Sequence, residues 1–168
     1  MTMLKIAGTT KGDEKMAELK NAKKVYETLC GALDSIGWRY DRHDDDFIVT
    51  LGVNGEDIPM WLVLGVDADK ELIRCMSRIP VAFDSENMVD GSIACAYATW
   101  RIIDGRFVLD ISKGEVNFEI SSSFAGSLIS KELIKYLVGT AVNTIDDFND
   151  GIVAVANGSM SIGDFCKL

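Results

Sequence analysis

The sequence predicts an α+β fold, an antiparallel β-sheet with helices packed on one face, and three observations carry that prediction. Apolar residues recur at spacings of three and four over three segments. Short runs rich in β-branched and aromatic residues lie between them, and the connections joining those runs are short enough for hairpins only. The predicted order is α-β-β-β-β-α-β-β-α. It fits one domain over residues 1–168, with an ordered core over 13–158 and a C-terminal tail over 159–168 that forms at most a short turn of helix.

The first helix runs from Asp13 to Ile36, where Leu19, Ala22, Val25, Tyr26, Leu29, Leu33 and Ile36 share one face and Gly37 supplies the stop. Its lysines, Lys15, Lys20, Lys23 and Lys24, alternate with Glu14, Glu18 and Glu27, which makes a solvated face rather than an anion site. The period then changes. WRYDRH, DFIVTLGV, IPMWLVLGV and ELIRCMSRI read as four strands separated by HDDD, NGED and DADK. In the third run both parities are apolar, Met60, Leu62 and Leu64 on one side and Trp61 and Val63 on the other, so both faces of that strand are expected to be covered at least in part. Pro80 is expected to end the strand region because it has no backbone donor.

After Ser85, helical spacing returns in Val89, Ile93, Ala96, Tyr97 and Trp100. Gly91 weakens such a helix by about 1 kcal/mol relative to alanine, which points to close packing or a late start. The stretch DGRFVLDISKGEVNFEISSS follows as a hairpin. Phe107, Leu109 and Ile111, then Val116, Phe118 and Ile120, form its apolar face, with a turn at Gly105 and a loop at Ser112, Lys113 and Gly114. Its polar residues stand where a solvated sheet face places them, so the hairpin reads as scaffold. Ser130 caps the last helix, whose stripe runs through Ile134, Leu137, Val138, Ala141, Val142, Ile145, Phe148, Ile152 and Val155. Asn149, Asp150 and Gly151 are candidate kink residues, and Asn157-Gly158 ends the helix.

Composition excludes several function classes. A formal charge of −9 repels a phosphate backbone, which argues against nucleic acid as a direct ligand. No apolar run approaches the roughly 18 residues that a membrane span needs. Cys30, Cys75, Cys95 and Cys166 are far apart and form no C-x-x-C pair, and no secretory signal precedes them; they read as reduced thiols of a cytoplasmic protein.

Catalytic candidates are few. His43 is the single histidine, and beside Asp44, Asp45 and Asp46 it is the one candidate for a metal site or general base. The plainer reading is a charged hairpin turn, since neighbouring strand residues point to opposite faces and neither HDDD nor DADKE has the spaced oxygens and glycine of a calcium loop. A cysteine nucleophile would need His43 beside Cys75 or Cys95, and both sit in apolar runs that suit small core residues. AGTTKGDEK lacks the phosphate-loop spacing, and SSSFAGS lacks G-x-S-x-G. No catalytic residue, cofactor or metal ligand set is therefore expected. Trp61, Val63, Tyr97 and Trp100 are the candidate partner or dimer surface, because aromatic anchors are enriched where proteins meet; against this stands a simple place in the core.

The succession AYATWRIIDGRFVLDISKGEVNF, followed by SLISKELIKYLVGTAVNTIDDFNDGIVAVANG, resembles the YbjN-type bacterial sensory-transduction regulators, best over residues 86–158. Gly105, Phe107, Leu109, Asp110 and Gly114 carry the likeness in the hairpin, and Asp146, Phe148 and Asn149 carry it in the last helix. Thr99 precedes Trp100 where such sequences often have asparagine. The resemblance implies a type III secretion chaperone-like fold and a cytoplasmic homodimer that binds a protein or peptide, or acts as a regulator, without catalytic residues. Two alternatives stand beside it: a small enzyme or metal-binding protein using the acidic turn at His43, and a small-molecule-binding regulator with a pocket between helices and sheet.

Overall fold

A computed structural model describes residues 11–168, and its elements follow the expected order: α1 (Lys11–Ser35), β1 (Asp41–His43), β2 (Ile48–Asn54), β3 (Pro59–Asp67), β4 (Leu72–Ala82), α2 (Met88–Arg101), β5 (Arg106–Asp110), β6 (Glu115–Ser123), α3 (Lys131–Ala156) and a short α4 (Ile162–Phe165). The strands form one antiparallel sheet in the spatial order β1-β2-β3-β4-β6-β5. Hairpins set every neighbour except β4–β6, where the chain leaves the sheet through α2 and returns.

Alternation along the strands decides which face is covered. Leu51, Leu62, Leu64, Ile73, Cys75, Val116 and Phe118 point to one side and are buried there. The long α3 lies beneath β4 and β6, with α1 and α2 packed on either side of it. Ile134, Leu137, Val138, Ala141, Ile145, Ile152 and Val155 of α3 close the core, together with Ala22, Val25, Tyr26, Leu29 and Leu33 of α1. Two residues of the expected α1 stripe behave otherwise: Leu19 is exposed, and Ile36 is exposed just past the end of the helix.

Three further expectations are corrected. Pro80 does not end β4, which continues to Ala82 through a register shift between Arg78 and Ala82; the irregularity spares the ladder the donor that proline lacks. Residues 159–168 carry a short turn of helix, as the sequence allowed, but they are packed and not a free tail. Phe165 of α4 is fully buried, and a Cβ on Gly151 of α3 would stand 2.6 Å from its ring, so the α3 glycine is there to admit Phe165 rather than to kink the helix. Ile111 lies past the end of β5 in the loop and is exposed, whereas Phe107, Val116, Phe118 and Ile120 face inward as the alternation requires.

The hairpin residues that carried the family likeness turn out to be structural. Gly105 has φ +89°, and a Cβ there would run into the Phe118 ring. Asp110 accepts bonds from the Ser112 amide at 3.0 Å and the Ser112 hydroxyl at 2.6 Å, which fixes the β5–β6 loop. Gly114, at φ +71°, lets the loop pass against the Phe83 carbonyl. Phe107 packs edge-on against Phe148 of α3 with centroids 5.6 Å apart. Asp146 accepts the Glu56 amide at 3.1 Å, tying the β2–β3 loop to α3.

Candidate interaction surfaces

The four residues proposed from sequence as one surface fall on two. Trp61 and Val63 project from the side of the sheet opposite the helices, while Tyr97 and Trp100 belong to α2. The expected coverage of β3 on both faces is not met among the described residues. Met60, Leu62, Leu64 and Val66 are buried, but Trp61 is 55% exposed. The helices lie on the inner face, so no described residue forms a layer over the outer one.

Cross-strand register lays out that outer face. One row runs Thr50, Val63, Met76, Glu119, Arg106, and the next runs Ile48, Gly65, Arg74, Ser121. Trp61 shields Gly52, its partner on β2, with the indole 3.5 Å from where a Cβ would stand. Gly65 is open among the described residues, its nearest neighbour being Ile48 Cγ1 at 3.7 Å from the missing Cβ. A shallow apolar groove of about 320 Å³ opens there. Asp46, Asp67 and Arg74 are the charged residues that line it, and Asp67 is matched by Lys70 at 3.2 Å; farther along the face Arg78 pairs with Glu115 at 3.0 Å and Arg106 with Glu119 at 2.7 Å. Hydrogen bonding from the Lys70 backbone, then its side chain, holds the Asp67 carboxyl below its usual range. Arg74 makes no ion pair among the described residues. Its place was readable from the alternation of β4, yet nothing in the sequence marked it as unpaired.

The second surface is α2 with the loop beside it. The helix buries its small residues, Gly91, Ala94, Cys95 and Ala98; a Cβ on Gly91 would lie 2.6 Å from the Phe83 ring. The close approach that alanine and glycine permit is therefore to the chain's own core. The apolar periodicity seen in the sequence marks the opposite, outward face, where Val89, Ile93, Ala96 and Trp100 form an exposed stripe. Trp100 is 75% exposed, and Ile103 and Ile111 extend the patch beyond the helix. Tyr97 stands at its flank, half-buried against Phe165 with centroids 5.7 Å apart. Thr99, on the other flank, accepts the Phe107 amide at 2.9 Å, so its hydroxyl blunts the free edge of β5. A groove of about 540 Å³ lies between α2 and β5.

The catalytic candidates are dispersed. His43 is exposed on β1, its Nε2 3.4 Å from the Thr50 hydroxyl oxygen. Asp44 is engaged by Arg42 at 2.8 Å and by the Tyr26 hydroxyl at 2.9 Å, and the Arg42 guanidinium, with Tyr26 second, holds its carboxyl below the usual range. No group of three potential metal ligands forms among the described residues. Burial pushes the Cys75 thiol up to about 12 and the Cys95 thiol to about 11, so both remain protonated at neutral pH, the wrong form for attack. A cleft of about 380 Å³ between α2, α3 and α4, next to Tyr97, Arg101 and Phe165, lies among helices rather than between helices and sheet. No helix of the described residues is long and apolar enough to cross a membrane.

Comparison with known proteins adds the context. The model of the YbjN family, described as "Putative bacterial sensory transduction regulator", matches residues 26–153. No curated protein matches the chain. Among solved structures, YbjN from E. coli aligns at 12% identity and a TM-score of 0.57 over 80% of this chain and 92% of its own. The ExsC–ExsE complex contains a chain that aligns at 15% identity and 0.59, covering 79% and 96%. The HopA1–SchA chaperone–effector complex contains another, at 14% identity and 0.56, covering 80% and 97%. At these identities the likeness is one of fold, and it is the type III secretion chaperone-like fold.

Proposed function

Since the chain belongs to the YbjN family, we propose that it is a cytoplasmic, homodimeric module that binds a protein or peptide segment, as a secretion chaperone or a regulator does, and catalyses no reaction. The outward stripe of α2 is the observation that carries this reading. Val89, Ile93, Ala96 and Trp100 form an uncharged face on a 14-residue helix, a poor surface to leave in water. Two such helices meeting across a two-fold axis cover each other with the same residues. The outer sheet face suits a second copy less well, because self-pairing about the groove would bring together two Arg74 side chains, each without an ion pair among the described residues. Two of the similar folds were solved as complexes, one of them a chaperone with an effector, which supports a binding role.

Sedimentation tests it directly. The wild-type chain at micromolar concentration should run at about twice its 18.4 kDa mass, and Ile93→Asp should run as a folded monomer. His43→Ala should leave mass and any cellular activity unchanged, because an exposed side chain at the end of an edge strand contributes within about 0.5 kcal/mol. A wild-type monomer at every concentration would remove the dimer. Loss of activity in a folded, dimeric His43→Ala variant would move the function to the acidic turn.

A further inference from the structure

We propose that the groove over Gly65 on the outer sheet face is the seat of an amphipathic helix of a partner protein, held by apolar side chains against Ile48, Val63, Leu72 and Met76 and by one carboxylate on Arg74. The inference rests on the binding-module reading and names what that module binds. Four apolar side chains surround a position whose own side chain is missing, so the middle of β3 is indented where a projecting residue fits. Arg74 stands beside Gly65 in register, half-buried and without an ion pair among the described residues, in a chain of charge −9 whose other outer-face arginines, Arg78 and Arg106, are both matched. An arginine held next to an apolar groove is complementary to an acid brought by whatever fills it.

Why the occupant is a helix follows from the place of the groove. It lies over β2, β3 and β4, interior strands of the sheet whose backbone groups already pair with their neighbours on both sides. An added strand would find no backbone partners there. A helix satisfies its own, and offers apolar side chains at spacings of three and four. Asp46 at one end of the groove restricts the occupant further, since a second acid placed at that end would be repelled.

The probe is a display library of helical peptides of about 16 residues, close to the roughly 20 Å of strand that the face exposes, selected in parallel against the wild type and Arg74→Glu. Selection on the wild type should enrich peptides with an apolar stripe and one acidic residue beside it. Selection on Arg74→Glu should enrich a basic residue at that position. A wild-type peptide synthesised with its acid changed to lysine should lose about tenfold or more in affinity, and Arg74→Glu should recover it. Gly65→Val serves as a second variant: its Cβ makes only ordinary contact with Ile48 and its backbone is unstrained, so it should fold as the wild type does and block the groove. Equal affinities for acidic and basic peptides, binding undisturbed by Gly65→Val, or no enrichment at all would each overturn the proposal. Arg74→Glu should sediment as the wild type does; dissociation of a dimer by that change would give the groove to a second copy instead. Failure here leaves the Ile93→Asp result standing, so the two readings fall separately.

Discussion

At the residue scale, burial separates neighbours that are adjacent in sequence. Phe118 is fully buried under the sheet, while Glu119 points the other way and pairs with Arg106 on the open face. Phe118→Ala should therefore cost about 3–5 kcal/mol in denaturant titration, and Glu119→Ala about 0–1, the value of a surface ion pair. Similar losses for both would contradict the face assignment. Asp44 offers a test in acid. Its folded pKa is lowered, so whatever it contributes is complete above its unfolded value of about 4 and fades as pH falls through the folded one. The stability difference between wild type and Asp44→Asn should be present at pH 6 and shrink steadily below about pH 4. A difference independent of pH would show that the carboxylate charge plays no part. The alternation that sets these roles was plain from sequence; that Asp44 would be shared by Arg42 and Tyr26 was not, because Tyr26 comes from another element.

At the element scale, α2 shows what periodicity can and cannot tell. A recurrence at three and four says that apolar residues share a face, but not whether that face turns toward the core. Here the larger residues look outward and the small ones, Gly91, Ala94, Cys95 and Ala98, look in, where α3 packs close and the Phe83 ring sits against Gly91. Gly91→Ala gains about 1 kcal/mol in helix propensity and yet should destabilise the protein by about 1–3 kcal/mol, since its methyl would press on the Phe83 ring. Thermal melts of the variant decide it, and an unchanged or raised midpoint would mean that the ring moves aside freely. The β5–β6 hairpin is the opposite case. Its glycines and its alternation were legible, Ile111 excepted, because a hairpin is local, and its face toward α3 follows from the same pattern.

At the scale of the whole molecule, one sheet with all its helices on one side buries three of the four cysteines and leaves the fourth partly open in α4's cap. A thiol reagent should modify Cys166 quickly in the native protein and reach Cys30, Cys75 and Cys95 only in denaturant; rapid labelling of Cys75 in the native state would contradict the closed core. The same layering explains the division between what sequence determined and what only tertiary structure decided. Sequence determined the order of the main elements, the antiparallel hairpins, the inward residues of β6 and the scaffold role of the β5–β6 hairpin, because each depends on a local period of two or of three and four. It also supplied the aromatic residues from which the candidate surface was drawn. Only the tertiary structure decided that Trp61 and Trp100 lie on different surfaces, that Gly65 stands in an indentation beside an Arg74 with no ion pair among the described residues, and that Phe165 belongs to the core. Those facts depend on which face the helices choose and on which residues distant in the chain meet across it, and no local spacing encodes that choice.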